Sequence, residues 1–170
     1  DVLTAAENII LGLSGREVLD MKAVSARINE LTAKYGFELD PDQKIYTMSV
    51  SQKQTVEIVK LLYRGVDILI LDEPTNHLDY GNQLRALSMV RALVKRGFGV
   101  IMTSHNPDHV LLLGGQVGIL GNDGRFLVGN AEEVMTEERL RALYRSDLYL
   151  TYVERVGRKV CIPGRLKSDE

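Results

Sequence analysis

Apolar residues recur along this chain at two different spacings, and the change from one to the other divides it. Met21, Val24, Ile28, Leu31 and Tyr35 follow one another in steps of three and four. That is the repeat of a single helical face, and Gly36 stands where a left-handed residue can end the helix. Thr4 and Glu7 precede Ile9, Ile10 and Leu11, a capping-box pattern that predicts a short first helix. A loop is expected at Leu13–Arg16, and the stretch Phe37–Thr47, with Asp40-Pro41-Asp42 inside it, reads as a connector. A further amphipathic helix is predicted from about Gln52 to Tyr63, with Val56, Val59 and Leu62 on one face and Gly65 as its stop.

From Val66 the period changes. Ile68-Leu69-Ile70-Leu71 is an unbroken apolar run, which predicts a strand buried on both faces. A helix over Tyr80–Lys95 and a second run, Val100-Ile101-Met102, complete a βαβ unit and hence a parallel sheet with a right-handed crossover. Asn106 and Pro107 suit the cap and first residue of a short helix. Val117–Leu120 and Phe126–Val128 flank Gly121-Asn122-Asp123-Gly124, a hairpin turn. A helix over Glu137–Tyr144 and a strand-like tail over Leu148–Val156 end the pattern. The fold class is α/β, with three parts expected: a helical subdomain at 1–65, part of an α/β core at 66–147 and a tail at 148–170. No internal repeat interrupts it.

Composition narrows the functional classes. At 170 residues a globular chain buries roughly 70% of the surface its unfolded form exposes. Hydrophobic residues at 45% and charged residues at 26% suit a packed domain. A net charge of −2 argues against a coat for nucleic acid or for an anionic membrane. Cys161 is the only cysteine, which excludes an internal disulfide framework. No apolar run approaches the ~18 residues of a membrane span, and the first residues lack the order of a signal peptide. The chain opens on Asp1, so a segment upstream of it is expected.

Two acids, Asp72 and Glu73, follow the first apolar strand directly, and His105 follows the second. Open α/β sheets bind ligands at the carboxyl ends of their strands, so all three could converge on one edge. Acids that merely favour the start of a helix are the plain alternative. A metal-hydrolase cluster of His77, His105 and His109 with Asp72 and Glu73 is another. In the simpler reading His77 is a loop residue and His109 a helix-surface residue. Arg155, Arg158, Lys159, Arg165 and Lys167 read as a solvated face, and Cys161 as a small, at least partly buried hydrophobe.

The string Ile68–Asp79, ILILDEPTNHLD, resembles the Walker B motif and D-loop of the ABC ATPases, and Ser104-His105 resembles their H-loop. Met48-Ser49-Val50-Ser51-Gln52 stands in the place of the LSGGQ signature. LTAAENIIL at Leu3–Leu11 is similar to the stretch after the Q-loop. The resemblance runs in order through nearly the whole chain. It implies a P-loop NTPase-type ABC ATPase core, with a partial parallel sheet and flanking helices, plus an α-helical subdomain. On it, 1–65 is the helical subdomain with the signature and 66–147 the second half of a RecA-like core.

The same resemblance implies the roles. Asp72 would hold Mg²⁺, Glu73 would activate the attacking water, and His105 would contact the γ-phosphate of ATP. Asp79 would lie in the D-loop. Ser49 and the amides of Val50, Ser51 and Gln52 would meet ATP held by a second ATP-binding subunit. Permease subunits would be the membrane partners, with the protein at the cytoplasmic face of the membrane and no nucleic acid expected. Leu3–Leu62 is similar to sugar or nucleoside importers. Asn76–Tyr144 is similar to iron-siderophore or cobalamin importers, so the cargo stays open.

Two departures matter. Val50 and Ser51 replace the signature's two glycines, where side chains could hinder close approach to phosphate. No Gly-Lys pair occurs in the sequence, so it contains no GxxxxGK[ST] loop. The reading is therefore the C-terminal part of an ATP-binding importer subunit, inactive alone. A non-hydrolysing regulatory chain and an ABC-type ATPase acting on nucleic acid are the rivals. By the same resemblance, a GxxxxGK[ST] roughly 80–110 residues upstream of Ser49 would favour the ATPase.

Overall fold

The computed structural model describes residues 2–13 and 20–165; most of the loop expected at Leu13–Arg16 lies outside them. The chain divides into two compact units at Thr103 and Ser104.

In the first unit the capping box forms as the sequence predicts. The Glu7 N–H donates to Thr4 Oγ1 at 3.2 Å and the Thr4 N–H to Glu7 Oε2 at 2.6 Å, starting α1 (Ala5–Ile10). Helix α2 (Met21–Tyr35) is capped by Asp20 and ends on Gly36 at φ 73°, a conformation that costs glycine nothing. Helix α3 spans Val50–Tyr63, two residues longer at its start than the apolar spacing predicts. Polar capping set that start: the Gln52 N–H donates to Ser49 Oγ, and Gln52 Oε1 accepts from the Ser49 N–H. Ile9, Ile28, Val56 and Val59 from the three helices form one core.

Beyond α3 come β1 (Ile68–Leu71), α4 (Tyr80–Lys95) and β2 (Gly99–Met102). The two strands pair in parallel, with Leu69 opposite Val100 and Ile70 opposite Ile101. Leu69, fully buried, packs with Ile58 and Leu62 of α3 and Leu93 of α4. The other face differs from expectation. Ile68, Ile70 and Ile101 are 63%, 73% and 60% exposed, so β1 is buried on one face and not on both. The physical reason is that α3 and α4 contribute to the same core, on the Leu69 side.

The second unit contains α5 (Pro107–Leu113), β3 (Gln116–Leu120), β4 (Phe126–Asn130), α6 (Ala131–Val134), α7 (Glu137–Tyr144), β5 (Leu148–Val153) and β6 (Arg158–Pro163). Asn106 caps α5 with Pro107 as its first residue, and β3–β4 is the predicted hairpin. The tail is itself an antiparallel hairpin, turned by Gly157 at φ 66°. Val134, Leu140 and Leu148 form the core of this unit, with Cys161 half-buried beside it.

Two side chains assigned to solvent are held within the unit, one buried and one in an ion pair. His109 is 5% exposed. Its Nε2 meets Asn106 Nδ2 at 3.1 Å; an amide nitrogen only donates, so Nε2 accepts and the ring is neutral. Arg158 grips Asp108 through both guanidinium nitrogens at 2.8 and 2.9 Å, holding β6 on α5. Helical spacing cannot forecast the Arg158–Asp108 contact, because β6 meets α5 only after folding; the His109 partner, Asn106, is three residues away in the same helix start.

These groups predict a two-step acid response. Burial lowers the His109 pKa from its ordinary 6.5, against the opposing charge of Asp108. The unfolded chain therefore takes up a proton that the folded one refuses, and stability falls as the pH drops below about 6.5. The Arg158 guanidinium, the largest influence, holds the Asp108 carboxyl below its ordinary 3.8. Its contribution is present above that value and is lost as the pH falls through the lowered folded value. In denaturant unfolding followed by circular dichroism, His109→Gln is expected to remove the first limb and keep the second. An unchanged profile would exclude His109 as the source.

Candidate functional site

The carboxyl ends of β1 and β2 carry the first unit's candidate chemistry. Backbone pairing continues one residue past the strands, where the Thr103 N–H donates to the Leu71 carbonyl at 3.0 Å. This sets Thr103 beside Asp72 and Glu73. Its hydroxyl donates to Asp72 Oδ1 at 2.6 Å and accepts the Glu73 N–H at 2.8 Å. Glu73 sits at φ 42°, a left-handed conformation that persists only where its surroundings over-determine it. The turn beyond supplies a further tie: the Asn76 N–H donates to the Glu73 carbonyl at 2.9 Å, and Asn76 Nδ2 donates to Glu73 Oε2 at 2.8 Å.

Downstream, His77 is exposed at φ 60°, a loop residue as expected. Asp79 caps α4, taking the Asn82 N–H at 2.9 Å and Asn82 Nδ2 at 2.6 Å. Those bonds, the backbone one foremost, hold its carboxyl below the usual range.

The N-terminus of α3 belongs to the same unit. Val50 and Ser51 are its first two residues, and neither has a positive φ. Glycine is therefore not required by the backbone there. The first amides of a helix have no acceptor within it, so those of Val50 and Ser51 suit an anion. The Gln52 N–H and Ser49 Oγ are instead engaged with each other. Val50, Ser51 and Asp72 line one groove of about 460 Å³, together with Leu61, Ile70 and Met89.

His105 lies in the second unit, at the entry to α5. Ser104 Oγ accepts the Asn106 N–H at 3.2 Å, and Tyr144 Oη donates to the His105 carbonyl at 2.9 Å. Burial raises the Tyr144 pKa, so the phenol keeps the proton this bond needs.

Thr103, Asn76 and Tyr144 were missed by motif reasoning. The available signal for Thr103 was positional: in parallel strands of equal length, the residue after β2 falls beside the residue after β1. No comparable signal announces Tyr144.

Among the described residues no group of three or more His, Cys, Asp or Glu side chains could hold a metal ion. The donors at Asp72 nevertheless fit magnesium. Mg²⁺ takes hard oxygen ligands, keeps several waters, and is bound by one or two carboxylates together with substrate phosphates. Asp72 is an exposed carboxylate with one oxygen fixed by Thr103.

Comparison with known proteins identifies what the chain is similar to. Residues 2–76 match the family model described as ABC transporter. The chain is 38% identical over 125 residues to the nucleoside import ATP-binding protein NupA of Lactococcus lactis subsp. cremoris, covering 71% of this chain and 24% of that protein. It is 34% identical over 143 residues to the ribose import ATP-binding protein RbsA 1 of Rubrobacter xylanophilus, covering 83% and 28%. The chain thus spans about a quarter of the length of these relatives. A solved ABC transporter of metal-chelate type, in an inward-facing conformation, superposes with a TM-score of 0.79 over 97% of this chain and 68% of that one, at 18% identity. The structure of cbiO1 from Clostridium perfringens, part of the ABC transporter complex cbiONQ, superposes with a TM-score of 0.67 over 82% and 56%, at 25% identity. The motif order, the α/β fold and these matches agree: residues 2–76 carry an ABC transporter domain, and the chain's relatives are ATP-binding subunits of ABC importers.

Proposed function

We propose that this chain is the signature, metal-holding and water-activating part of an ATP-binding subunit that couples ATP hydrolysis to import across a membrane. The observation that carries this reading is the joint anchoring of Asp72 and Glu73 on Thr103 at the end of β1, in a chain whose relatives are import ATP-binding proteins. Asp72 would hold Mg²⁺, which when bound neutralises charge on the transferring phosphoryl oxygens. Glu73 takes the proton of the attacking water, worth about 10²–10⁴-fold for a positioned base. His105 contacts the γ-phosphate. Ser49 and the amides of Val50, Ser51 and Gln52 present a helix N-terminus to ATP on a second ATP-binding subunit, with Asp79 near the junction. Because Gln52 N–H and Ser49 Oγ bond each other here, the amides of Val50 and Ser51 are the readier donors.

Relatives named for nucleoside and ribose import support a cargo of that kind, handed through permease subunits at the cytoplasmic face. Among the described residues no helix is long and apolar enough to cross a membrane, which suits a peripheral role. A non-hydrolysing chain is the second reading, which the absence of a Gly-Lys pair favours if these 170 residues are the natural product. The deciding experiment is phosphate release from ATP by the full-length protein, with and without Mg²⁺. Mg²⁺-dependent hydrolysis is expected; ATP binding with no hydrolysis would overturn the reading and favour the second.

A further inference from the structure

We infer that Thr103 is the residue that positions both carboxylates of the site, orienting Asp72 through its side chain and Glu73 through its backbone. This rests on the roles proposed above for those two residues. The geometry is specific to a hydroxyl. Thr103 Oγ1 has one proton, and that proton goes to Asp72 Oδ1 at 2.6 Å. The lone pairs on the same oxygen then take the Glu73 N–H at 2.8 Å. Donor and acceptor capacities are thus used on adjacent residues of the opposite strand end.

Each bond has a separate consequence. With Oδ1 fixed, the Asp72 carboxylate is held in one orientation toward a cation, as outer partners of metal ligands commonly do. The second bond holds Glu73 at φ 42°, a backbone setting disfavoured for a residue with a Cβ. That setting, with the Asn76 contact, fixes where the Glu73 carboxylate is carried. Thr103 is itself fixed by β2: its N–H completes the strand ladder at the Leu71 carbonyl. The pair of acids therefore takes its orientation from the neighbouring strand as well as its own turn. Thr103 is a positioning residue and touches neither water nor nucleotide in this role.

Thr103→Val keeps the branched shape and removes the hydroxyl, while Thr103→Ser keeps the hydroxyl. In the 170-residue chain, amide hydrogen exchange at Glu73, read by NMR, is expected to quicken about tenfold in Thr103→Val, the worth of one ordinary hydrogen bond. The ladder amides of Leu69 and Ile101 should stay protected, which separates this from unfolding. In the full-length protein, kcat for ATP is expected to fall about 10–100-fold with KM unchanged. Thr103→Ser should restore both readouts. Parent-level kcat in Thr103→Val overturns the inference, even if Glu73 exchange rises, since the hydroxyl would then be structural only. Failure of Thr103→Ser to recover kcat also overturns it. The underlying reading fails differently: there Glu73→Gln itself turns ATP over at the parent rate. Loss in Glu73→Gln with no loss in Thr103→Val removes this inference alone.

Discussion

Glu73→Gln in the full-length protein is expected to slow ATP turnover by about 10²–10⁴-fold, the contribution of a positioned general base, while ATP binding persists. The local geometry makes this substitution a clean one. Glu73 is anchored to Thr103 through its backbone N–H, which the exchange does not touch. Its side chain accepts from Asn76 Nδ2, and glutamine retains a carbonyl oxygen that can accept the same bond. The left-handed backbone at φ 42° is no harder for glutamine than for glutamate. What disappears is the capacity to take a proton from water. Phosphate release and nucleotide binding measured on the same preparation separate the two effects. Hydrolysis at the parent rate would remove Glu73 from the mechanism.

The 170-residue chain on its own is expected to bind ATP no more tightly than millimolar, about 4 kcal/mol, against about 8 kcal/mol for micromolar binding. Phosphate groups are usually cradled by successive backbone amides and a lysine. This sequence has no Gly-Lys pair to build that cradle. The first unit instead offers the two leading amides of α3 and, across the same groove, the carboxylate of Asp72. Bridged through Mg²⁺, that carboxylate adds one link to the phosphates, too few contacts to stand in for the missing cradle. Isothermal calorimetry in Mg²⁺ buffer measures the affinity directly. Micromolar binding would mean that the chain holds nucleotide by some other set of contacts.

Most of the elements were legible because they are written in local chemistry. Gly36, Asn106-Pro107 and the Gly121–Gly124 turn each dictate a backbone geometry without reference to distant residues. The start of α3 was harder, because Ser49 and Gln52 cap it in polar terms that an apolar count ignores. The run Ile68–Leu71 shows that a strand is present; it cannot show how many of its faces acquire a cover. Arg158 was misplaced for a related reason, since it meets Asp108 only once the β6 hairpin packs on α5; burial of His109 is likewise a tertiary outcome. In the candidate site, Asp72 and Glu73 were readable from motif order. Thr103 was not, because its contacts depend on strand register, which a single sequence states only indirectly.

The open side of the β1–β2 pair has a practical consequence for anyone handling this chain. Among the described residues that sheet has two strands, and the three isoleucines on its open face make an extended apolar surface. Such a surface favours self-association as concentration rises, so the useful working range of the chain will be set by colloidal behaviour as much as by folding. Threonine in place of Ile70 and Ile101 would keep the β-branched shape that strands favour while making that surface wettable. Leu69 and the packing beneath it, on the opposite side of the strand, would be left as they are.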